Sequence, residues 1–179
     1  MISLATLLIA FLPPYNATVT DITDGDTIKV VKAGETGKIE VRLWGIDAPE
    51  ARHQIKMVDG KRVEVYNVQK TQPYGQSARI KLSQLIYGKT VEVVPKNKDR
   101  YGRTVSQIKA DGIDINNEMV KSGSAWWYED YAKNDTVKQQ LQSDAQARMA
   151  GLWAEQHPMP PWEFRKRKVK ANAVDSVLP

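Results

Sequence analysis

The chain has 179 residues and no cysteine, which excludes disulfides, thiolate zinc sites and a thiol nucleophile. The net charge is +5, and the last eighteen residues supply +3 of it because they contain five basic and two acidic residues. Length and charge therefore indicate one mildly basic domain with a basic tail, a balance that favours polyanionic partners. Such a tail is more often a solvated end than a binding arm.

The N-terminus, from Met1 to Leu12, is almost wholly apolar and ends at Pro13. Twelve residues are too few to cross a bilayer as a helix, which needs about 20. We interpret residues 1–17 as a secretory signal peptide cleaved near Ala17, and we expect a secreted or periplasmic protein without stable membrane insertion. A trimmed or packed N-terminal segment is the alternative.

Strands are predicted where β-branched residues are bounded by turn signals. Asp24-Gly25, between the first two, is typical of a two-residue hairpin, and Asp111-Gly112 marks another tight turn. Asp26 follows the first turn directly, so we expect its side chain at a strand end rather than in a packed interior. The predicted strands are Thr18 to Ile22, Thr27 to Lys32, Lys38 to Ile46, Thr90 to Lys96 and Val105 to Ala110.

Helices are predicted at Gln76 to Tyr87, at Asn116 to Ser122, and from the cap Asp135 to Gly151. One helix lies before the fourth strand and the others follow the fifth. This order predicts an α+β fold, a five-stranded OB-fold barrel with three α-helices.

Two segments show neither a strand pattern nor a helix pattern. Arg52 to Pro73 has no clear periodicity and is long for a loop, so we interpret it as functional or mobile. From Pro158 onward we expect an extended basic tail. The predicted domain therefore spans residues 18–157, followed by a tail at 158–179.

Three carboxylates and two arginines stand beside predicted turns: Asp26, Asp47, Glu50, Arg42 and Arg103. Carboxylates on turns next to rigid strands are good ligands for Ca²⁺ or Mg²⁺. Arginine binds phosphate oxygens in bidentate geometry. Each aspartate taken alone is most simply a turn former. Their occurrence together with two arginines predicts a site that holds a hard cation and a phosphate.

Three motifs, in this order, resemble those of the staphylococcal nuclease family: Asp24 to Thr27, Arg42 to Glu50, and Asp99 to Arg103. The resemblance covers roughly Ala17 to Trp153 and implies an OB barrel with three helices. The best-known member has threonine where this chain has Ala48, a change that preserves a backbone carbonyl ligand.

The resemblance also implies a role for each motif residue. It implies that Ca²⁺ is bound by Asp26, Asp47 and the backbone carbonyl of Ala48. Glu50 would orient or deprotonate the attacking water. The two guanidinium groups that clamp the phosphate would belong to Arg42 and Arg103.

Aromatic residues near these motifs are candidates for substrate binding. By resemblance, Tyr101 lies near the nucleotide end of the cleft, and Tyr128 or Tyr131 stacks on a base. Core packing is the alternative role for Trp126 and Trp127. The basic residues of 52–73 either contact the substrate backbone or keep that segment soluble.

The implied function is Ca²⁺-dependent hydrolysis of DNA and RNA with low sequence selectivity, giving 3′-phosphate products. We expect the enzyme to act as a monomer. The alternative is a non-catalytic nucleic-acid-binding OB-fold module with a decayed site. The enzyme is favoured because Asp26, Arg42, Asp47, Glu50 and Arg103 are all present.

Overall fold

Short strands make up most of the regular structure in the computed structural model, which describes residues 13–67 and 70–167. The first strand begins at Tyr15, before the predicted domain boundary, and most of the predicted signal peptide lies outside the described residues. In chain order the strands are β1 (Tyr15–Ile22), β2 (Thr27–Lys32), β3 (Lys38–Leu43), β4 (Ile46–Asp47), β5 (His53–Val58), β6 (Lys61–Tyr66), β7 (Thr90–Lys98), β8 (Thr104–Ala110), β9 (Ile113–Asp114) and β10 (Trp126–Trp127).

A closed barrel is formed by β3, β2, β1, β7 and β8, which pair in that order as antiparallel neighbours. Parallel pairing of β3 with β8 closes the barrel, with Val41 opposite Thr104 and Leu43 opposite Ser106. This architecture confirms the predicted α+β OB-fold barrel. The core is filled by β-branched and leucine side chains that include Val19, Ile28, Val30, Val41, Leu43, Val93 and Ile108.

The three predicted helices are present, with ends within a few residues of the prediction: α1 (Gly75–Ile86), α2 (Ile115–Lys121) and α3 (Thr136–Ala147). Asp135 caps α3 as expected, since its carboxylate accepts a hydrogen bond from the Lys138 N–H at 2.9 Å. A 3₁₀ turn follows at Gly151–Ala154. No helix within the described ranges is both long enough and apolar enough to span a membrane.

The predicted strand Lys38 to Ile46 is wrong in one respect, because it is two strands. Gly45 has a φ of 73° and turns the chain between β3 and β4. A side chain at Gly45 is also excluded, because a Cβ there would lie 2.9 Å from Cβ of Ala132. The break allows β4 to leave the barrel and pair with β10.

The predicted two-residue hairpin at Asp24-Gly25 is also wrong. The connection between β1 and β2 is longer, and the Thr23 N–H donates to the Thr27 carbonyl at 2.8 Å. Gly25 is required by packing rather than by a positive φ, since a Cβ there would lie 2.7 Å from Cβ of Ala48 and 2.8 Å from Cβ of Ala78.

The segment Arg52 to Pro73, predicted to be irregular, contains the antiparallel hairpin of β5 and β6. Asp59 and Gly60 form its turn, with φ values of 49° and 74°. The Arg79 guanidinium of α1 anchors the hairpin by donating to the two Glu64 carboxylate oxygens at 2.7 and 2.9 Å. The loop prediction missed regular structure because both faces of this hairpin are largely exposed.

The last described segment, residues 158–167, is here called the C-terminal strap. It was predicted to be an extended tail, but 161–167 is helical and forms α4. The Gln72 side-chain amide donates to the Met159 carbonyl at 2.6 Å, and the Trp162 ring lies 5.6 Å from that of Trp126. The strap therefore folds back onto the domain.

Candidate active site

Asp26 lies at the start of β2 with its carboxylate turned inward. Its N–H donates to the Asp24 carboxylate at 3.1 Å, a local bond that shapes the turn. The expectation that Asp26 avoids a packed interior is wrong, since the residue is only 1% exposed. Its oxygens accept hydrogen bonds from the Ala48 N–H at 2.6 Å, Arg42 Nη1 at 2.6 Å and the Thr27 hydroxyl at 3.0 Å.

Burial raises the pKa of Asp26 to about 6, although the neighbouring Arg42 guanidinium opposes the shift. The carboxylate is therefore mostly ionised at neutral pH. A buried charge of this kind needs partners, and the bonds from Arg42 and Ala48 supply them.

Arg42, near the end of β3, bridges two carboxylates. Its Nη1 donates to Asp26, and its Nη2 donates to Asp47 Oδ1 at 2.6 Å. Asp47 is fully buried on β4, where it lies opposite Trp126 of β10. The barrel edge and the β4–β10 pair thus hold the three charged groups in contact.

Glu50 follows the turn at Pro49 and is half-buried beside Asp47. Its backbone is fixed from both sides, since its N–H donates to the Gln72 side chain at 3.3 Å and its carbonyl accepts from the Gln72 N–H at 2.8 Å. The start of α1 packs closely on this carbonyl, because a Cβ at Gly75 would lie 2.1 Å from it. The four residues Asp26, Arg42, Asp47 and Glu50 are called the acidic cluster below.

Arg103 lies on a neighbouring turn, between β7 and β8. Its Nε donates to Asp99 Oδ2 at 2.7 Å and lies 4.0 Å from Glu40 of β3. Tyr101, on the same turn, is 69% exposed, with the Arg103 guanidinium 5.6 Å from its ring centre. The structure therefore places Arg103 and Tyr101 together beside β3, without a bond to the acidic cluster.

Tyr128 and Tyr131 follow β10 and form one aromatic surface, with ring centres 5.1 Å apart. Tyr128 also lies 5.5 Å from the ring of Trp162 in the strap. Burial raises the pKa of Tyr128, and the nearby charges of Asp130 and Asp47 add to that effect. The Tyr128 N–H donates to the Gly45 carbonyl at 2.9 Å, directly before β4, so this surface lies next to the acidic cluster.

Trp126 and Trp127 have packing roles, which was the alternative role given for them in the sequence analysis. The Trp126 ring meets that of Trp153 edge-on at 4.3 Å. The Trp127 indole N–H donates to the Ala132 carbonyl at 3.1 Å. These contacts fix β10 and, through its pairing, Asp47 on β4.

One charged residue of the site was not predicted. Arg165 of the strap donates from Nη1 to Asp47 Oδ1 at 3.1 Å and from Nη2 to Asp47 Oδ2 at 2.8 Å. Its Nη1 also donates to Glu50 Oε1 at 2.9 Å. Pro161, at the start of α4, is a helix-start signal that was present in the sequence. The chain carries no local signal that this helix returns to Asp47.

The donors of the acidic cluster fit a hard divalent cation. The cluster's three carboxylates outnumber its one guanidinium, and Arg165 and the exposed Arg52, whose Nη2 lies 3.6 Å from Glu50 Oε2, supply further positive charge. The Arg165 guanidinium, lying on Asp47 and Glu50, shows that this position attracts positive charge. Within residues 13–67 and 70–167, no three His, Asp or Glu side chains form a ready-made metal cage. A bound cation therefore needs other oxygen ligands, such as water or the Ala48 carbonyl implied by the resemblance.

The fold and the site together define an OB-fold barrel with an arginine-bridged acidic centre at one edge. A family model described as "Staphylococcal nuclease homologue" matches residues 40–155. An "uncharacterized endonuclease" of Escherichia coli is 38% identical over 151 residues, covering 84% of each chain. The micrococcal nuclease of Shigella flexneri is 31% identical over 184 residues, covering 96% of this chain and 94% of the relative.

A third relative, an "uncharacterized endonuclease" of Haemophilus influenzae, is 38% identical over 157 residues, covering 88% of this chain and 76% of its own. The chain belongs to the staphylococcal nuclease family. It is accordingly a hydrolase of nuclease type that acts on nucleic acid. The match to the family model ends at residue 155, before the strap that carries Arg165, whereas the alignment with the Shigella flexneri relative covers 96% of the chain.

Proposed function

We propose that the protein is a Ca²⁺-dependent nuclease that hydrolyses DNA and RNA as a monomer, with low sequence selectivity, and leaves 3′-phosphate ends. The acidic cluster is the observation that supports this proposal. It combines two buried aspartates, a bridging arginine and a half-buried glutamate, all held in place by hydrogen bonds at the barrel edge. Groups of this kind hold a cation, activate water and stabilise the charge that develops when a phosphodiester is hydrolysed.

Asp26, Asp47 and the carbonyl of Ala48 are the proposed Ca²⁺ ligands. A bound Ca²⁺ would orient the phosphate and neutralise charge that develops on it. Arg42 has five N–H donors and uses two on Asp26 and Asp47, which leaves donors for a phosphate oxygen. Because both carboxylates orient this guanidinium, it needs little rearrangement on substrate binding.

Glu50 is the proposed general base. Its fixed backbone holds the carboxylate beside Asp47, and general-base catalysis typically contributes about 10²–10⁴-fold to a rate. Known enzymatic accelerations correspond to roughly 8–23 kcal/mol of barrier, so Glu50 accounts for part of the rate only. Electrostatic stabilisation by Arg42, Arg103 and the cation would supply the remainder.

Tyr128 and Tyr131 are the proposed base-stacking surface, and Tyr101, beside Arg103, is a further proposed contact for the nucleotide. Stacking on an aromatic ring tolerates any base and is worth about 1–3 kcal/mol per base. It also does not depend on the sugar, which supports action on both DNA and RNA. Stacking requires an unpaired base, so we expect faster cleavage of single strands than of duplex.

Replacement of Glu50 tests the catalytic proposal. We expect Glu50→Gln to slow cleavage of heat-denatured DNA and of RNA about 10²–10⁴-fold, while substrate binding persists. The assay is run with Ca²⁺, with Mg²⁺ and with chelator, and binding is followed by fluorescence anisotropy. Glu35→Gln is the matched control, since Glu35 is exposed and lies 3.9 Å from Lys32.

The products and the metal requirement test the proposed cleavage position and the proposed Ca²⁺ dependence. End-labelling should give 3′-phosphates, and 5′-phosphate products would contradict the proposed cleavage position. Full activity in chelator would contradict Ca²⁺ dependence. Nucleic-acid binding with no cleavage under any metal would support the alternative, a binding module with a decayed site.

We also propose that the protein is exported. The apolar run before Pro13 supports this proposal. N-terminal sequencing of the native protein checks it, because an intact Met1 in the exported fraction would rule out cleavage near Ala17.

A further inference from the structure

The C-terminal strap lies beyond residue 155, where the match to the family model ends, and it reaches the acidic cluster. Pro161 is buried, and Trp162 packs between Trp126 and Tyr128, with ring centres 5.6 and 5.5 Å away. The Gln72 side chain, whose oxygen accepts the Glu50 N–H, donates to the Met159 carbonyl. The strap is thus docked on the walls of the site.

Arg165 is the residue through which the strap enters the site. Its guanidinium contacts both oxygens of Asp47 and one oxygen of Glu50, at distances of 2.8 to 3.1 Å. Asp47 Oδ1 also accepts from Arg42 at 2.6 Å. A carboxylate oxygen has about two lone pairs, so Oδ1 of Asp47 is saturated by the two arginines.

These bonds conflict with the proposed roles of the same oxygens. Asp47 must direct an oxygen at the cation, and Glu50 must direct one at the attacking water. Arg165 occupies both oxygens of Asp47 and Oε1 of Glu50 with a cation of its own, and Arg52 Nη2 lies 3.6 Å from Glu50 Oε2. The closed strap and a loaded site therefore exclude each other.

We propose that Arg165 is an autoinhibitory cation mimic, which Ca²⁺ must displace from Asp47 and Glu50 before the site is competent. The proposal rests on the function proposed above, since it concerns the same carboxylates. In the closed state the guanidinium offsets the negative charge of Asp47 and Glu50 and so stabilises these carboxylates. Opening of the strap returns Asp47 and Glu50 to the cation and the substrate.

The strap is docked loosely enough to open. The side chain of Arg165 is 41% exposed, so its ion pairs are weakened by solvent. A cavity of about 110 Å³ lies under the strap, lined by residues that include Pro49, Tyr74, Leu152 and Phe164. The strap therefore leaves part of the surface beneath it unfilled, and a segment with fewer packing contacts opens at a lower free energy.

The closed state must lower the apparent affinity for the ion. When only a fraction of molecules is competent to bind, the apparent dissociation constant rises by the reciprocal of that fraction. If the strap is closed in roughly 90–99% of molecules, the apparent dissociation constant for Ca²⁺ rises roughly 10- to 100-fold.

The test measures Ca²⁺ binding to the full chain by calorimetry without nucleic acid. We expect Arg165→Gln to bind Ca²⁺ about 10- to 100-fold more tightly than wild type. Lys166→Gln is the matched control, since it removes the same charge from an exposed neighbour on α4 and should bind as wild type does. Equal affinity in Arg165→Gln and wild type, weaker binding in Arg165→Gln, or an equal gain in Lys166→Gln would each overturn the proposal.

A second readout follows the strap itself. The Trp162 emission, taken as the difference between wild type and Trp162→Phe, should change when Ca²⁺ is added, because Trp162 leaves Trp126 and Tyr128. In Arg165→Gln it should already resemble the Ca²⁺-bound state. An unchanged Trp162 signal on saturation with Ca²⁺ would show that the strap stays closed and would overturn the proposal.

The two proposals fail separately. A wild-type protein that cleaves with Ca²⁺ and loses cleavage in Glu50→Gln supports the nuclease function whatever Arg165→Gln does. If neither wild type nor Arg165→Gln binds Ca²⁺, the cation-mimic role is overturned, and the cleavage assay alone then decides the function.

Discussion

Gly25 shows how closely other parts of the barrel approach the acidic cluster. It follows Asp24, precedes Asp26, and lies against Ala48 and Ala78 with no space for a methyl group. Both alanines are buried and have no flexible end that can move aside. Small residues at these three positions let α1 and the Asp47-Ala48 turn meet beside Asp26.

Replacement of this glycine should therefore cost stability and activity. We expect Gly25→Ala to lower the free energy of unfolding by about 1–3 kcal/mol, the usual cost of overpacking, and to lower cleavage by displacing Ala48. Urea denaturation and the cleavage assay measure the two effects. Gly37→Ala is the control, because a Cβ at Gly37 meets nothing within 4 Å and its φ is not positive, so a large loss there would contradict the packing explanation.

At the scale of single residues, the sequence shows which residues form the site better than it shows what packs around them. The sequence identified one set of five, Asp26, Arg42, Asp47, Glu50 and Arg103; the structure brings the first four together, whereas Arg103 is bonded to Asp99. The burial of Asp26 was not predicted, because an Asp-Gly pair reports local turn preference and not what packs on the turn. Arg165 was missed because its partners lie 118 and 115 residues away.

At the scale of elements, α3 depends on one ion pair in its first turn. Asp135 caps the helix and accepts a hydrogen bond from the buried Lys138 ammonium at 2.8 Å. Burial alone would raise the pKa of Asp135, but the bonds from Lys138 outweigh it and hold the pKa below its ordinary value. The ionised carboxylate therefore stabilises the folded state.

The stability of this pair should depend on pH. A lowered folded-state pKa gives stability that is present above the unfolded value of about 3.9 and is lost as the pH falls through the folded value. We expect Asp135→Asn to cost about 1.5–3 kcal/mol at pH 7, with the cost shrinking below about pH 4. Urea unfolding at several pH values measures this.

A control for that prediction is Asp111→Asn, which breaks the exposed pair with Lys89. Exposed pairs are worth about 0–1 kcal/mol, so its effect should be small at every pH. A cost for Asp135→Asn that does not vary with pH would show that the charge of Asp135 is not what matters.

Elements with a buried face were predicted well, and those without one were missed. The barrel strands and α1 bury one face, so their periodicity is visible in the sequence. The hairpin of β5 and β6 exposes Met57 and Val63 on opposite faces, and none of its residues whose burial the structure describes is buried. Asp59-Gly60 was the available signal, since both residues adopt the positive φ of a tight hairpin.

For the molecule as a whole, the acidic cluster should make stability depend on the ion. A ligand that binds only the folded state stabilises it by about 2.7 kcal/mol at 100 times its dissociation constant. We expect Ca²⁺ to raise the midpoint of thermal unfolding of wild type, and to have no such effect on Asp47→Asn. An equal rise in both proteins would mean that Ca²⁺ binds elsewhere.

The number of residues that separate two bonded side chains along the chain also indicates the order in which their contacts form. The bonds of Arg42 join residues 16 and 5 positions apart, whereas Arg165 reaches Asp47 across 118. Contacts between distant residues must close a long loop and are slow to form. We therefore expect the carboxylates to meet early and Arg165 to arrive last. A newly folded molecule would then have an open site for a short time. Ca²⁺ that is present during this time would bind without displacing Arg165, whereas Ca²⁺ that arrives later would have to displace it.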